Sequence, residues 1–385
     1  MPPLFRRRLS VGNILSLTIA GFSPFAGEAA AQGCIASRCA AGVSHADDSM
    51  LTYDAEAHAR WQVTVGYRWF KSDRQFTGSH EDDAINDEGG QDINDSHFVD
   101  FGVSYQWTPR FSLSLTIPFV EHDRSSVVRN RQGTIVERYH VQANGPGDLR
   151  LSASYWLFDP VPHTQGKEPA VPPRGNILLS AGIDMPTGKD DVEDVHRRFN
   201  PTINRPLNVT HPVDQSIQPG DGGWGIPFDL YAYYRFTDRL SGYLTASYQI
   251  TPEESNGVLT GIGNEFERYM SIPDTFSGRI GLDYALLPQH GVTVSLGLRA
   301  EGVPTYDLVG GSDDFRRPGI AVSVEPGVSF MKNNWSASLT VPIAIYRDRY
   351  QSVPDKQLSA ALGANRHGEA SFADYLILFS MGKRF

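Results

Sequence analysis

The chain has 385 residues, a formal net charge of −10 and only two cysteines. Because phosphate contacts need clustered Lys and Arg, an acidic chain without a basic tract argues against nucleic acid as a partner. The mean hydropathy of −0.32 is that of a soluble protein, but a transmembrane β-barrel reaches similar values because lipid-facing and lumen-facing side chains alternate. Beyond the N-terminal region, no apolar run reaches about 18 residues, which excludes a helical membrane span.

The N-terminus has the three parts of a secretory signal peptide. A basic run at residues 6–8 precedes an apolar stretch at residues 11–25, and a small-residue cleavage site ends at Ala31. We predict that residues 1–31 are removed and that the mature chain begins at Gln32.

Residues 32–59 are predicted to form a periplasmic N-terminal segment ahead of the folded domain, which spans residues 60–385. This segment holds Cys34 and Cys39, and a disulfide between them is permitted in the oxidising periplasm. Lipidation of Cys34 is an alternative, although the Leu usually found three residues upstream is missing. A metal or haem site is a second alternative, but no His follows at C-x-x-C-H spacing.

About twelve segments of roughly ten residues have apolar side chains at alternate positions, which is the pattern of β-strands with one apolar face. In the first segment, Trp61, Val63 and Val65 alternate with polar or small residues. In chain order, the segments begin near residues 61, 99, 111, 149, 177, 226, 240, 276, 292, 322, 335 and 375. Each predicted strand therefore has an apolar face and a polar face.

The connections between these segments alternate in length. Residues 108–110 and 237–239 are short turns, residues 121–147 and 187–223 are long polar loops, and residues 159–174 form a Pro-rich turn of intermediate length. An even number of strands, with short turns at one end and long loops at the other, is typical of bacterial outer-membrane barrels. We predict an all-β fold, a single twelve-stranded antiparallel transmembrane β-barrel in the outer membrane of a Gram-negative bacterium.

The C-terminal segment alternates apolar and polar residues and ends at Phe385. A terminal aromatic residue is typical of the last strand of outer-membrane barrels, and we predict that the barrel-assembly machinery recognises Phe385. Aromatic residues also cluster near predicted strand ends, for example Trp69 and Phe70 at the long-loop end and Trp107 and Trp335 at the short-turn end. These clusters predict two aromatic girdles in contact with outer-membrane lipids and lipopolysaccharide.

Side chains on the polar face are predicted to line the lumen. Many of them are Ser or Thr, which leave room for water or a solute. The larger polar side chains form a candidate constriction: Arg68, Asp100, Asp148, Arg150, Asp184, Asp229, Tyr231, Tyr233, Arg279, Asp283, Arg299, Glu301, Glu325 and Asp374. One interpretation is a charged constriction in which Tyr231 and Tyr233 stack on an aromatic solute. The other is an ion-pair network that stabilises the barrel wall, since buried charges must be paired.

Residues 252–257 resemble the H-x-S-N-G nucleophile motif of outer-membrane phospholipase A, which is also a twelve-stranded barrel. Glu253 stands where the general base His of that motif should be, and the hydroxyl of Ser255 needs a base to act as a nucleophile. Ser-Asn-Gly also begins turns readily. The acidic residues at 81–95 and the scattered histidines match no defined metal site. We therefore expect no enzyme activity, no cofactor and no metal.

Three Gly-rich motifs carry a resemblance to a known family. They are Gly145-Pro146-Gly147-Asp148-Leu149, Leu179-Ser180-Ala181-Gly182 running into Met185-Pro186-Thr187-Gly188, and Gln218-Pro219-Gly220-Asp221-Gly222-Gly223-Trp224. With a short Cys-containing stretch after the signal peptide, they resemble the outer-membrane transporters of the meta-pathway phenol-degradation family, which is related to the fatty-acid transporter barrels. The resemblance implies passive uptake or efflux of small solutes, aromatic or hydrophobic ones among them. A non-conducting structural or surface-interaction barrel and, with less support, a lipid hydrolase are the alternatives.

Overall fold

The computed structural model describes residues 60–160 and 173–385. The predicted signal peptide (residues 1–31), the predicted periplasmic segment (residues 32–59) and the predicted disulfide between Cys34 and Cys39 lie outside the described residues. Within the described residues, no helix is long and apolar enough to cross a membrane.

The described residues form a closed antiparallel barrel of twelve strands. The first six strands are β1 (Trp61–Thr77), β2 (Ile93–Gln106), β3 (Phe111–Arg129), β4 (Ile135–Pro146 and Leu149–Trp156), β5 (Gly175–Met185) and β6 (Ile226–Arg235). The other six are β7 (Leu240–Ile250), β8 (Thr275–Leu287), β9 (Val292–Val303), β10 (Gly319–Lys332), β11 (Trp335–Thr340 and Ile343–Arg349) and β12 (Glu369–Arg384). Only β4 and β11, among the described strands of the barrel wall, run in two segments.

Barrel closure is made by the first and last strands. Each strand pairs with its neighbours in the chain, and β12 also pairs with β1, from Gln62 opposite Arg384 to Thr77 opposite Glu369. Closure leaves no unpaired strand edge in the wall, which is the condition for a sheet in lipid, where the hydrocarbon offers no hydrogen-bond partner. The predicted twelve-stranded antiparallel barrel is confirmed.

The two faces of the sheet separate apolar from charged side chains. On β9, Leu296 is 59% exposed and Leu298 is 50% exposed, whereas Arg299 and Glu301 are each 3% exposed. Because successive side chains of a strand point to opposite faces, the two leucines face outward and the two charged residues face the lumen. The outward apolar band is the surface that a membrane would cover.

The long connections carry more regular structure than their polar sequences predict. β3 continues to Arg129 and β4 begins at Ile135, so most of the predicted loop 121–147 is a two-stranded extension of the barrel. An antiparallel ladder needs no apolar face where both sides meet polar surroundings, because its hydrogen bonds are made by the backbone. The polar sequence of this stretch therefore does not reveal the strand pairing that the structure shows.

Short elements fill the remaining connections at the long-loop end. Two hairpins are made by Glu193–Asn200 with Arg205–Pro212 and by Ser255–Leu259 with Tyr269–Ser271, and a two-residue strand is His80–Glu81. The helices are α1 (Asp83–Asp87) and α2 (Val353–Leu362), and single 3₁₀ turns are Gln215–Ile217 and Glu265–Glu267, with a third, Pro288–His290, at the short-turn end.

The helix α2 has clear signals at both ends. The hydroxyl of Ser352 accepts a hydrogen bond from the N–H of Asp355, whose carboxylate accepts one from the N–H of Ser352. This reciprocal pair is a capping box. At the other end, Gly363 adopts a φ of 63°, a left-handed conformation that ends helices and that glycine takes at little cost.

Candidate functional site

Two of the predicted lumen arginines form forked pairs with carboxylates. Arg68 donates to Asp100 at 3.0 and 3.3 Å from its Nε and Nη2 atoms. Arg150 donates to both oxygens of Asp184, at 2.7 and 2.6 Å, and to Gln249 at 2.7 Å. The planar guanidinium matches the carboxylate in such forks, so each pair fixes the position of both side chains on the lumen wall.

Two further arginines share a pair of glutamates on the part of the wall formed by β8, β9 and β10. Arg279 and Arg299 lie directly opposite each other on β8 and β9. Arg279 donates to Glu325 at 2.5 Å and Arg299 donates to Glu301 at 2.6 Å, while Glu325 also lies 3.6 Å from Arg299. Two like charges can be buried side by side here because two carboxylates compensate them.

Two predicted aspartates lie on the same lumen face among hydroxyl groups. Asp229 accepts a hydrogen bond of 2.6 Å from the hydroxyl of Ser247. Asp283 lies on β8, opposite Ser241 of β7 and Ser295 of β9. The structure thus places both residues on the predicted face, on the half of the wall that also carries the Arg279 pair.

Asp374 lies apart from the other predicted lumen residues. Its side chain is 48% exposed and accepts from Arg347 at 2.6 Å and from Arg74 at 3.2 Å. Arg74 also donates to Glu81 at 2.8 Å. These four residues form a separate network at the long-loop end, where the β1–β12 register is shifted by bulges.

Aromatic side chains pack together in the lumen near the short-turn end. Trp156, Tyr231 and Tyr243 are buried together with Leu178, and Tyr233 packs against them. The Trp156 ring lies edge-on to the rings of Tyr231 and Tyr233, with centroid distances of 6.1 Å, a favourable arrangement for aromatic pairs. Alternation assigns the two tyrosines of β6 to the lumen and places Trp156, Leu178 and Tyr243 on the same face, although the predicted constriction does not include these three residues.

Tyr243 lies flat against the lumen wall across two glycines. Gly281 of β8 and Gly297 of β9 are register partners, and a Cβ atom at either position would collide with the Tyr243 hydroxyl. The missing side chains therefore create the slot that the ring occupies. Arg279 lies 5.8 Å from the centroid of the same ring, so the aromatic cluster joins the charged wall.

A second apolar cluster lines the lumen nearer the long-loop end. Phe70, Phe98, Val120 and Leu376 are all buried there, and the guanidinium of Arg68 lies 4.4 Å from the Phe98 ring centroid. The prediction that Phe70 belongs to an outer girdle is wrong, because its side chain is 1% exposed. Phe70 follows Arg68 by two residues and so shares its lumen-facing side of β1.

The three Gly-rich motifs meet at one point. The carboxylate of Asp148 accepts hydrogen bonds from the N–H of Gly188 at 2.9 Å and from the N–H of Asp221 at 3.0 Å. The hydroxyl of Thr187 donates to the carbonyl of Gly147 at 3.2 Å. We call these contacts the loop clasp. The clasp holds together the two ends of the long connection between β5 and β6.

Part of this long connection enters the barrel mouth. Val213 and Ile217 are fully buried and pack against Val141 and Ala143 of β4. Gln215 donates to the backbone carbonyl of Ser271, in the connection between β7 and β8. We call residues 213–218 the mouth segment, because they lie between these two walls and cross the long-loop end of the lumen.

Asp214 fixes the mouth segment from two sides. Arg317, just before β10, donates to both its oxygens at 3.0 and 2.7 Å, and Arg124 of β3 lies 3.6 Å away. Ser216, in the same turn, accepts from Asn94 of β2 at 3.1 Å. Since β11, β12, β1 and β2 separate β10 from β3 on one side of the barrel, these contacts span the mouth.

The electrostatics of Asp214 favour its ionised form. Burial opposes the charge, but Arg124 and Arg317 outweigh burial and hold the pKa of the carboxyl below its ordinary value. Arg317 is 1% exposed and Arg124 is 5% exposed, so the attraction acts where water screens it little. No local sequence pattern marks these three residues, which come together only in the closed barrel.

Comparison with solved structures finds proteins of similar fold. The chain is similar to the COG4313 outer membrane channel from Pseudomonas putida F1, with a TM-score of 0.54, 12% sequence identity, and coverage of 89% of this chain and 100% of that chain. At this identity the similarity shows the fold alone. The chain has the fold of an outer-membrane β-barrel.

Other comparisons add no further assignment. The toluene transporter TodX from P. putida aligns with a TM-score of 0.40 at 11% identity, over 87% of this chain and 92% of that chain. The translocator domain of autotransporter NalP from Neisseria meningitidis also has a TM-score of 0.40, at 10% identity over 88% and 92%. Scores at this level do not establish a shared fold. No protein-family model and no curated protein matches the sequence.

The Ser-Asn-Gly stretch begins the short strand Ser255–Leu259, at an irregularity in its register. The hydroxyl of Ser255 accepts a hydrogen bond of 3.1 Å from the N–H of Gly257, which has a φ of 76°. Glu253, at the position of the general base in the lipase-like motif, accepts from the N–H of Trp224 at 3.2 Å. Both side chains therefore stabilise the connection between β7 and β8.

Proposed function

We propose that this protein is an outer-membrane channel for the passive passage of small solutes, aromatic or hydrophobic ones among them. The aromatic cluster of Trp156, Tyr231, Tyr233 and Tyr243 carries this proposal. A barrel that served only as a scaffold would need no aromatic lining in its lumen, whereas ring surfaces attract planar apolar solutes. Glu325 and Glu301 pair with the arginines beside the cluster, so an uncharged solute that displaces water there leaves those arginines compensated.

The proposal includes the route of the protein to the membrane. The signal peptide (residues 1–31) is removed, the mature chain begins at Gln32, and the barrel-assembly machinery recognises Phe385. The apolar band of the barrel then contacts outer-membrane lipids, and the long loops contact lipopolysaccharide. N-terminal sequencing of protein extracted from isolated outer membranes tests the first step. A start at Met1 would contradict it.

Planar-bilayer recording tests the channel. The purified mature protein is expected to give discrete conductance that benzyl alcohol blocks more strongly than cyclohexylmethanol, a non-aromatic alcohol of similar size. Trp156→Ala removes the ring at the centre of the cluster and should weaken the block. Trp107→Ala is the matched control, because the Trp107 side chain is 63% exposed at the short-turn end. If benzyl alcohol blocked Trp156→Ala and Trp107→Ala equally, the block would arise from its effect on the bilayer and not from binding to the cluster.

A non-conducting surface-interaction barrel is the second candidate, and the mouth segment that crosses the long-loop end favours it. That candidate predicts no conductance, even when the mouth segment is released by Asp214→Asn. A lipid hydrolase makes a different prediction, since Ser255→Ala would abolish its activity. We expect any lipid hydrolysis by the preparation to be unchanged in Ser255→Ala.

A further inference from the structure

The contact between Asp214 and Arg317 resembles the binding of a ligand carboxylate. Arg317 presents two nitrogens to the two oxygens of Asp214, at 3.0 and 2.7 Å. This fork is the usual way in which arginine recognises a carboxylate. Within the described ranges, the side-chain hydrogen bonds of Arg317 both go to Asp214, while Glu267 acts on this arginine through its charge.

The two members of the pair differ in accessibility. The side chain of Asp214 is 14% exposed, whereas that of Arg317 is 1% exposed. Asp214 lies on the mouth segment, which belongs to a connection between strands, and Arg317 lies next to β10 of the barrel wall. The carboxylate is therefore the more accessible partner, and the arginine is the more buried one.

Opening of the mouth carries an electrostatic penalty. If the mouth segment withdraws, Asp214 leaves and Arg317 keeps a buried charge without its hydrogen-bonded carboxylate. Breaking one side of a buried ion pair is strongly unfavourable, because the remaining charge is left uncompensated. An external carboxylate that takes the position of Asp214 would remove this penalty.

The surroundings of Arg317 also suit an apolar group attached to the carboxylate of such a ligand. Its guanidinium lies 4.7 Å from the ring centroid of Phe315. Phe315 is buried and backbone-bonded to Tyr269 and Ser271, so the ring is fixed beside the charge. Arg124 of β3, across the mouth from Arg317, supplies a second positive charge. Its guanidinium donates a hydrogen bond of 2.6 Å to Asp92.

We propose that Arg317 and Arg124 form a binding site for a small carboxylate with an apolar body, and that Asp214 occupies this site in the closed state. The entering solute exchanges with Asp214, and the mouth segment is released. The inference rests on the proposed channel function, for which it names a class of solute and a trigger for opening.

Single-channel recording with benzoate tests this inference. Benzoate is added on the long-loop side at constant chloride and ionic strength, and benzamide serves as an uncharged molecule of nearly the same shape. We expect benzoate to raise the open-to-closed ratio about tenfold, a typical size for coupled sites, and benzamide to leave it unchanged. An equal response to both molecules would overturn the carboxylate site while leaving the channel intact.

Variants of the same contact separate the possible outcomes. Arg317→Gln should lose the benzoate response, and Asp214→Asn should raise the open ratio before benzoate is added. Arg131→Gln, at an exposed arginine in the turn between β3 and β4, should respond like the wild type. If Arg317→Gln shows no heat-modifiable folded band on a gel, Arg317→Lys, which keeps the charge but lacks the fork, should respond more weakly than the wild type.

Two results would count against different claims. A full benzoate response in the Arg317 variants would overturn the site. An absence of conductance in every protein and every solution, Asp214→Asn included, would overturn the proposed channel function instead.

Discussion

Asp148 and Asp221 are 73 residues apart in the chain, yet the carboxylate of Asp148 accepts a hydrogen bond of 3.0 Å from the backbone N–H of Asp221. The same carboxylate accepts from the N–H of Gly188 at 2.9 Å. One side chain at the break in β4 thus holds both ends of the connection that carries the mouth segment. Entry of that segment into the barrel depends on where this connection starts and ends.

Asp148→Ala should loosen the connection between β5 and β6. Two partly buried backbone N–H groups lose their acceptor, and each costs at most the ~1–3 kcal/mol of an unpaired buried donor. We expect faster protease cleavage within residues 187–223 and an unchanged barrel. Asp238→Ala, at an exposed turn position, is the control and should be cleaved at the wild-type rate. Equal rates for both variants would contradict the role of the clasp.

Gly297→Ala should displace Tyr243 from the wall. A Cβ atom at this position would collide with the Tyr243 hydroxyl and approach the carbonyl oxygen of Ile280 to 2.9 Å. Overpacking of this kind costs about 1–3 kcal/mol, and the displaced ring should narrow the lumen. We expect lower stability in urea and lower conductance.

The control for this change is Gly66→Ala, which also faces the lumen. A Cβ atom there would lie 3.5 Å from the Cβ of Asp100, an ordinary contact. Wild-type conductance of Gly297→Ala would show that Tyr243 does not depend on the glycine slot.

Arg150→Gln should be among the most destabilising single changes in the lumen. The pair with Asp184 is nearly buried, with side-chain exposures of 9% and 12%, and removing one partner of a buried pair costs about 3–5 kcal/mol. Replacement of both partners, Arg150→Met with Asp184→Leu, should recover most of this loss, because no charge remains uncompensated. Urea unfolding in lipid vesicles measures both variants. A double variant as unstable as the single one would contradict this account.

The fold could be predicted from the sequence because its signals are local. Alternation places Leu296 outside and Arg299 inside, and each strand can be assigned by itself. The same rule also places Phe70, Trp156 and Tyr243 inside, but the predicted girdle includes Phe70 and the predicted constriction omits the other two, because both sets are chosen by residue type. An apolar residue that faces the lumen is visible only when its strand register is fixed by neighbours of known direction.

The mouth could not be predicted, because its contacts are not local. Asp214 and Arg317 are 103 residues apart, and nothing near either residue indicates the other. The motifs around Gly147, Gly188 and Gly220 could be recognised as similar to a family, but only the closed barrel brings them to one carboxylate. Long-range ion pairs of this kind need the three-dimensional structure.

Leu296→Arg should destabilise the barrel in a membrane. Leu296 lies near the middle of β9 and is 59% exposed on the outer face. A charge on the lipid face near the bilayer midplane costs about 2–4 kcal/mol. Leu296→Met is the control and should stay near the wild type in urea unfolding from lipid vesicles. Wild-type stability of Leu296→Arg would mean that this face does not meet lipid.

The hairpin of residues 193–212 should loosen as the pH falls. The rings of His196 and His211 are stacked with a centroid distance of 3.4 Å. Burial, followed by the charges of His211 and Arg124, lowers the pKa of His196 from 6.5 to about 4, against the opposing effects of Asp194 and Asp214. Between these two values the unfolded segment binds more protons than the folded one, so acidification removes stability. Above about pH 6.5 the contribution is fully present.

Amide hydrogen exchange of the hairpin measures this loss, with His196→Phe as the matched variant. Phenylalanine keeps a flat ring beside His211 but cannot take up a proton. Comparison of the two proteins at each pH cancels the intrinsic pH dependence of exchange. We expect the protection of wild-type residues 193–212 to fall below that of His196→Phe from about pH 6.5 to 4. The same relative protection at pH 7.5 and pH 4.5 would assign the acid sensitivity of the loop to another group.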